Sequence, residues 1–269
     1  MNRALLIGLL FATSPLWAAD PFEEAQKAFA RGDYAGAITN AITATRENQW
    51  QEDPRVLHIR ALMARGKYAK ARTVTTNALE QLSSSVRVLL VAEDVFHFNN
   101  DPQSATNALQ EINRLAGIRA WAYRNAKDLV VLGRTALKLG GDPKLVLDNL
   151  YTAAREDDPE YVGTALAIGD LALSKSDYEL AGRTFQQALK KYPKNAELHF
   201  GTALAFASSD RKIMAHHLQS TLGINTNHIG ARLLLVDHLI DREAYDEAEE
   251  QITLALKVNP HHPKAWAYR

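Results

Sequence analysis

The chain has 269 residues, 46% of them apolar, with only 14 Gly and 9 Pro, a balance that argues against disorder and suits a mostly helical protein. Lys and Arg number 31, as do Asp and Glu, so the net charge is zero. This leaves no broad basic face for nucleic acid and no polybasic membrane anchor, and the lack of cysteine excludes disulfides, thiolate metal sites, a thiol nucleophile and a lipid-modified N-terminal cysteine.

Residues 1–18 read as a secretory signal peptide. Asn2-Arg3 gives a short positive start, Ala4 to Ala12 is an apolar run, and Ser14-Pro15 breaks it. Leu16-Trp17-Ala18 then leads to cleavage between Ala18 and Ala19. The run is about half the ~20 residues that a spanning helix needs, and no other long apolar run follows. The mature chain is therefore expected to have no stable membrane anchor.

From Asp20 onward a signature recurs. Gly32-Asp33-Tyr34 with Ala37 returns 34 residues later as Gly66-Lys67-Tyr68 with Ala71, and again as Asn100-Asp101-Pro102 with Ala105. Further copies are Asp177-Tyr178 with Ala181, and Ala244-Tyr245 with Ala248. A period of 34 is that of one helix–turn–helix unit in a stacked solenoid. Such a chain has no single catalytic core, and its default task is to present a surface. Within a unit, apolar residues three and four apart make one stripe per helix, as Phe22, Ala25, Ala28 and Phe29 do, followed by Ala37, Ile38, Ala41 and Ala44. Alanines at the contact positions let paired helices approach closely.

Three regular units are expected over 19–117. The stretch 118–159 is irregular: a first helix over 118–139, longer than the roughly 14 residues usual in such a repeat, stopped by Gly140-Gly141, with Asp142-Pro143 starting its partner. Its basic residues Arg119, Arg124, Lys127, Arg134 and Lys138 read as a solvated helix face, or else as a site for an anionic partner. Three more units are expected over 160–262. Residues 263–269 then begin an eighth, with Trp266 at a position where a first helix places a bulky residue.

The fifth unit makes the likeness specific. Gly169, Tyr178, Ala181, Phe185, Ala188 and Pro193 fall at the small, aromatic and proline positions of tetratricopeptide (TPR) repeats. The seventh unit repeats the pattern with Tyr245, Ala248, Ile252, Ala255 and Pro260. The chain thus resembles the TPR family, which implies an all-α, right-handed α-solenoid of about seven units. The signal peptide, the segment Leu139 to Asp148, the turn Ser208 to Arg211, the run Asp237 to Asp241 and the ending from Asn259 to Arg269 resemble bacterial envelope proteins in which a TPR array precedes a peptidase-MA-like metallohydrolase domain. That resemblance implies export to the periplasm or cell envelope of a Gram-negative-type bacterium. It also raises an alternative role, a substrate-positioning arm for a zinc metallohydrolase domain beyond Arg269.

Within these residues no H-E-x-x-H, glycine-rich phosphate loop or G-x-S-x-G elbow occurs. The pairs His216-His217 and His261-His262 are adjacent, so their side chains diverge on a helix and read as surface residues rather than metal ligands. No cofactor and no catalytic residue is expected. Projecting TPR geometry, in which the first helix of each unit lines the concave face, selects Arg60, Asp94, His97, Asp170, Leu173, Phe200 and Asp237 as a partner-binding groove for a protein or peptide segment. The positions where co-chaperone TPRs clamp a terminal carboxylate hold Phe22, Gln26, Leu57, Arg87 and Val91, of which only Arg87 is cationic. That clamp is absent.

Overall fold

A computed structural model describes residues 20–269, and the expected signal peptide with its expected Ala18–Ala19 cleavage lies outside them. All regular structure among the described residues is helical, arranged as helix pairs in a solenoid. The first three pairs are α1 (Pro21–Ala30) with α2 (Tyr34–Glu47), α3 (Glu52–Ala64) with α4 (Tyr68–Gln81), and α5 (Val86–Phe98) with α6 (Pro102–Ile118). The fourth joins α7 (Ala126–Lys138) to a continuous helix of three parts: α8 (Pro143–Val146), a π turn over Leu147–Tyr151, and α9 (Thr152–Asp157). Then follow α10 (Val162–Ser174) with α11 (Tyr178–Lys191), α12 (Ala196–Phe206) with α13 (Arg211–Ile224), α14 (Ile229–Ile240) with α15 (Tyr245–Val258), and α16 (Pro263–Tyr268).

The recurring signature has a local cause. Gly32 and Gly66 sit at φ +83° and +66°, the left-handed conformation that ends a helix, and Asn100, Ser176 and Glu243 hold the same conformation in other turns. The next residue's N–H donates back across the turn, as from Asp33 to the Ala28 carbonyl at 2.9 Å and from Asp177 to that of Ala172 at 2.9 Å. The turn aspartate then caps the second helix. Asp33 accepts from the Gly36 N–H, Asp101 from that of Ser104 and Asp177 from that of Leu180.

Packing joins each unit to the next rather than forming one core. Ala28, Ala37 and Ala61 come from successive helices and meet with no exposed surface around Tyr34. Phe185 is fully buried because its neighbours have no side chain. A Cβ on Gly169 would lie 2.1 Å from its ring, and one on Gly201 2.6 Å.

The fourth unit differs from the expectation of one long helix over 118–139. The extra length belongs to α6, which has 17 residues, and the chain then breaks at 119–125 through a 3-10 turn over Ala120–Ala122. Asn125 ends the break by accepting from the Asp128 N–H at 3.0 Å and capping α7, an ordinary helix of 13 residues. Tyr123 pins the break from beneath, buried with its hydroxyl donating to the Ser84 carbonyl at 2.9 Å. The remaining irregularity is the π turn, which carries the fully buried Tyr151. A Cβ on Gly133 would lie 2.2 Å from that ring, and burial pushes the phenol pKa up to about 12. Asp53-Pro54 lies in the first turn of α3, which begins at Glu52.

The array also closes on itself. The Asn225 side chain donates to the Tyr34 hydroxyl at 3.3 Å, and that of Asn227 to the Gly32 carbonyl at 3.0 Å. One repeat on, Asn259 donates to the Tyr68 hydroxyl at 3.0 Å and reaches the Met63 carbonyl at 3.5 Å. Turns of the first two units thus meet junctions of the sixth and seventh.

Candidate functional site

Successive first helices touch one another through the array, α1 with α3, then α5, α7, α10, α12 and α14, whereas successive second helices stand further apart. The first helices therefore form the inner layer of a curved stack, and closure of the two ends wraps this layer around a lumen.

Charges on the inner layer form a ladder from unit to unit. Asp53 on α3 takes Arg87 of α5 at 3.1 Å and Lys127 of α7 at 2.5 Å, and Arg87 also meets Asp128 at 2.7 Å and Glu52 at 3.4 Å. Burial alone would raise the Asp53 carboxyl, but Lys127 and Arg87 hold it below the usual range. Higher up, Lys138 of α7 reaches Asp94 at 3.3 Å and also pairs with Glu93, while Arg134 reaches Asp170 of α10 at 3.1 Å. Glu197 of α12 faces His228 ahead of α14 at 3.3 Å, and Asp237 of α14 takes Lys264 of α16 at 3.4 Å together with the Tyr268 hydroxyl.

Arg60 stands apart from this ladder. It is exposed on α3, yet no carboxylate among the described residues lies within the 4.0 Å ion-pair range. Desolvation, then the charge of Arg134, lowers its pKa from the ordinary arginine value, with Asp94 and Asp53 acting against this. Its charge is also felt by the Glu197 carboxyl on the sixth unit, which burial would raise but His228 and Arg60 pull down. A side chain of the second unit thus acts electrostatically on groups of the third, fourth and sixth. A guanidinium held there still has its fork of donors free for a carboxylate or a backbone carbonyl.

The residues selected from sequence separate into two groups. Arg60, Asp94, Asp170 and Asp237 are exposed or partly exposed on the inner helices, the three acids already paired. His97 is exposed and lies edge-on to Phe98 at 6.0 Å. Leu173 packs partly buried into the cluster around Phe185, and Phe200 lies tilted against His228 at 4.7 Å and packs on Ala203 and Met214, so both contribute to packing between helices. Arg87, the one cation at the clamp positions, is taken up by the ladder, and Val91 is buried.

Three features are not apparent from sequence patterning alone. Lys127, Arg134 and Lys138, read there as a solvated run, each pair with a carboxylate of another unit. The His217 ring, instead of lying free, places Nδ1 2.8 Å from Nδ1 of His199, whose Nε2 is 3.0 Å from the Pro193 carbonyl. If His199 donates from Nε2, its Nδ1 accepts from His217, so one proton joins two helices. Burial, then the neighbouring His199 and His216, lowers His217 to about 4. The clasp asparagines also lack a sequence signal, because their partners lie so far away in the chain. Among the described residues no three His, Asp or Glu side chains are arranged to hold a metal. An apolar cleft of about 420 Å³ opens where α13 and α14 part, lined by Met214, Leu218, Leu222 and Leu235.

Residues 166–212, spanning the fifth unit and the start of the sixth, match the family model of the tetratricopeptide repeat. The chain therefore carries a tetratricopeptide repeat in this stretch. No protein of curated function matches its sequence. Among solved structures it is similar to a TPR protein from Parabacteroides merdae ATCC 43184, with 15% identity and a TM-score of 0.58, covering 92% of this chain and 95% of that one. It is also similar to a chain of the APC/C hetero-tetramer Cut9–Hcn1, with 15% identity and a TM-score of 0.51, covering 91% of this chain and 54% of that one. At such identity the likeness bears on the fold, a helical solenoid of TPR units. No described helix of the chain is long and apolar enough to cross a membrane.

Proposed function

We propose that this chain is a non-catalytic scaffold that holds a segment of a partner protein along its inner wall. The observation that carries the reading is Arg60, a cation exposed on the inner layer with no carboxylate partner among the described residues, beside acids that are already paired. A wall whose acids are paired, with the Arg60 guanidinium unpaired among the described residues, suits a segment that brings its own carboxylate or carbonyls. The signal-peptide pattern of residues 1–18 supports a place of work in the bacterial envelope.

Capture from an envelope extract tests this, using immobilised wild type, Arg60→Glu and the pair Asp94→Lys with Asp170→Lys. Arg60→Glu removes no ion pair, so its helical circular dichroism should stay unchanged while capture of the partner falls. The Asp94 and Asp170 reversals should weaken capture as well. Equal capture by wild type and both variants would overturn the inner-wall assignment.

A further inference from the structure

Six junctions between the described units have four residues each, and one, residues 119–125 between the third and fourth units, has seven. The longer junction and the end of α6 put apolar surface into water. Trp121 is 75% exposed and Ile118 57%, flanked by the exposed Arg119 and Arg124. Neither arginine has a described carboxylate within the 4.0 Å ion-pair range, although Arg87 and Arg114 nearby do. The turn is held firmly from below by Tyr123 on Ser84, so the outward side chains stand on a fixed base.

The same edge carries a second such point. Trp50, in the junction between the first and second units, is 66% exposed, and Arg46 beside it is exposed without a described carboxylate in range. The edge is continuous between them. Arg55 bonds the Gln49 carbonyl at 2.7 Å and also Gln81 at the far end of its own unit, and the next junction's Ser84 bonds Tyr123. Of the acids near this edge, Glu52, Glu111 and Asp128 are paired with Arg87 or Arg114, while the exposed Glu47 and Glu80 make no ion pair with a described residue.

We infer that the edge carrying Trp50, Ile118 and Trp121 is a peripheral contact for an anionic phospholipid surface. Indole rings favour the bilayer–water interface, and arginines reach headgroup phosphates while their stems stay with the apolar side chains. The shape favours lipid over protein. A projecting turn and a separate tryptophan two units away offer little of the roughly 800 Å² per partner that a stable protein interface buries. Two shallow insertion points with positive flanks combine apolar burial with attraction to anionic headgroups, the two contributions on which peripheral binding scales. This edge is distinct from the inner wall and does not depend on the scaffold reading.

Flotation with vesicles of phosphatidylcholine alone, and of phosphatidylcholine with an equal part of phosphatidylglycerol, tests it on the full chain. Wild type should float with the anionic vesicles and release at high salt, and should not float with the zwitterionic ones. Ile118→Ser with Trp121→Ser should cut anionic-vesicle affinity at least about tenfold. Arg119→Gln with Arg124→Gln should cut it and flatten the salt dependence. All four side chains are exposed, so thermal melting should not move, and a melt that did move would be checked against Trp50→Ser, which should weaken flotation alone. Equal flotation of wild type and the Ile118/Trp121 variant would overturn the inference, because binding would then reside elsewhere, as in the apolar run Ala4 to Ala12. Loss of a soluble protein partner by that variant with no change in flotation would overturn it in favour of a protein interface.

Discussion

The side-chain amide of Asn225 donates to the hydroxyl of Tyr34, 191 residues away, and Asn259 makes the same contact to Tyr68 one repeat later. Gly32 and Gly66 make room for this pairing, since a Cβ on either would come within 2.2 or 2.1 Å of the asparagine oxygen. Glycine and tyrosine of the repeat signature therefore shape a turn and also receive the far end of the array. Replacing Asn225 and Asn259 by alanine should release the clasp. Each loss of a buried hydrogen bond should cost about 1–2 kcal/mol, and small-angle scattering should show a larger radius of gyration. Unchanged dimensions and unfolding midpoint would mean that the ends are held by other contacts, such as Val258 against the Tyr34 cluster.

The glycines of the fifth and sixth units make a second prediction. Gly169→Ala should destabilise by about 1–3 kcal/mol, because the new methyl would overlap the fully buried Phe185 ring. Gly223→Ala, on a helix where an added Cβ meets nothing within 4 Å, should instead stabilise by up to ~1 kcal/mol. Urea unfolding of the two variants should move in opposite directions.

Acid should weaken the fold before most carboxylates titrate. Burial, then Lys70, lowers His58 to about 4, and His217 is lowered to about 4 as well. Both rings are neutral when folded but take up a proton near the ordinary 6.5 when unfolded. Their stabilising contribution is complete above pH ~6.5 and is lost as pH falls toward about 4, on the order of 1–3 kcal/mol for the buried His58. His58 also leaves Nε2 buried without a hydrogen-bond partner. His58→Leu should therefore shrink the drop in unfolding free energy between pH 7.5 and 5. A drop of unchanged size would assign it to other groups.

The helices, their pairing and the period were legible in the sequence because they depend on local rules: alanine spacing, a left-handed turn residue and a capping aspartate. The fourth unit was misread because helix periodicity persists across residues 119–125 while the break is made by Asn125 capping and by Tyr123 reaching Ser84, a contact 39 residues away. On the inner wall, TPR geometry pointed to Arg60 and Asp170. It said nothing of which charges would be satisfied, since Arg134 and Lys138 find partners only once neighbouring units stack. Closure was invisible for the same reason: nothing near Asn225 marks Tyr34 as its partner.

The proposal that a partner lies on the inner wall is tested most directly by photo-crosslinking in the cell. A benzophenone side chain placed at position 94 or 170 faces the proposed groove, and one at position 183, on the exposed second helix α11, serves as the outer-wall control. The account predicts a crosslinked protein adduct from positions 94 and 170 that is absent from 183 and lost when Arg60→Glu is added. Adducts from 183 alone, or adducts from 94 and 170 that survive Arg60→Glu at full yield, would contradict it.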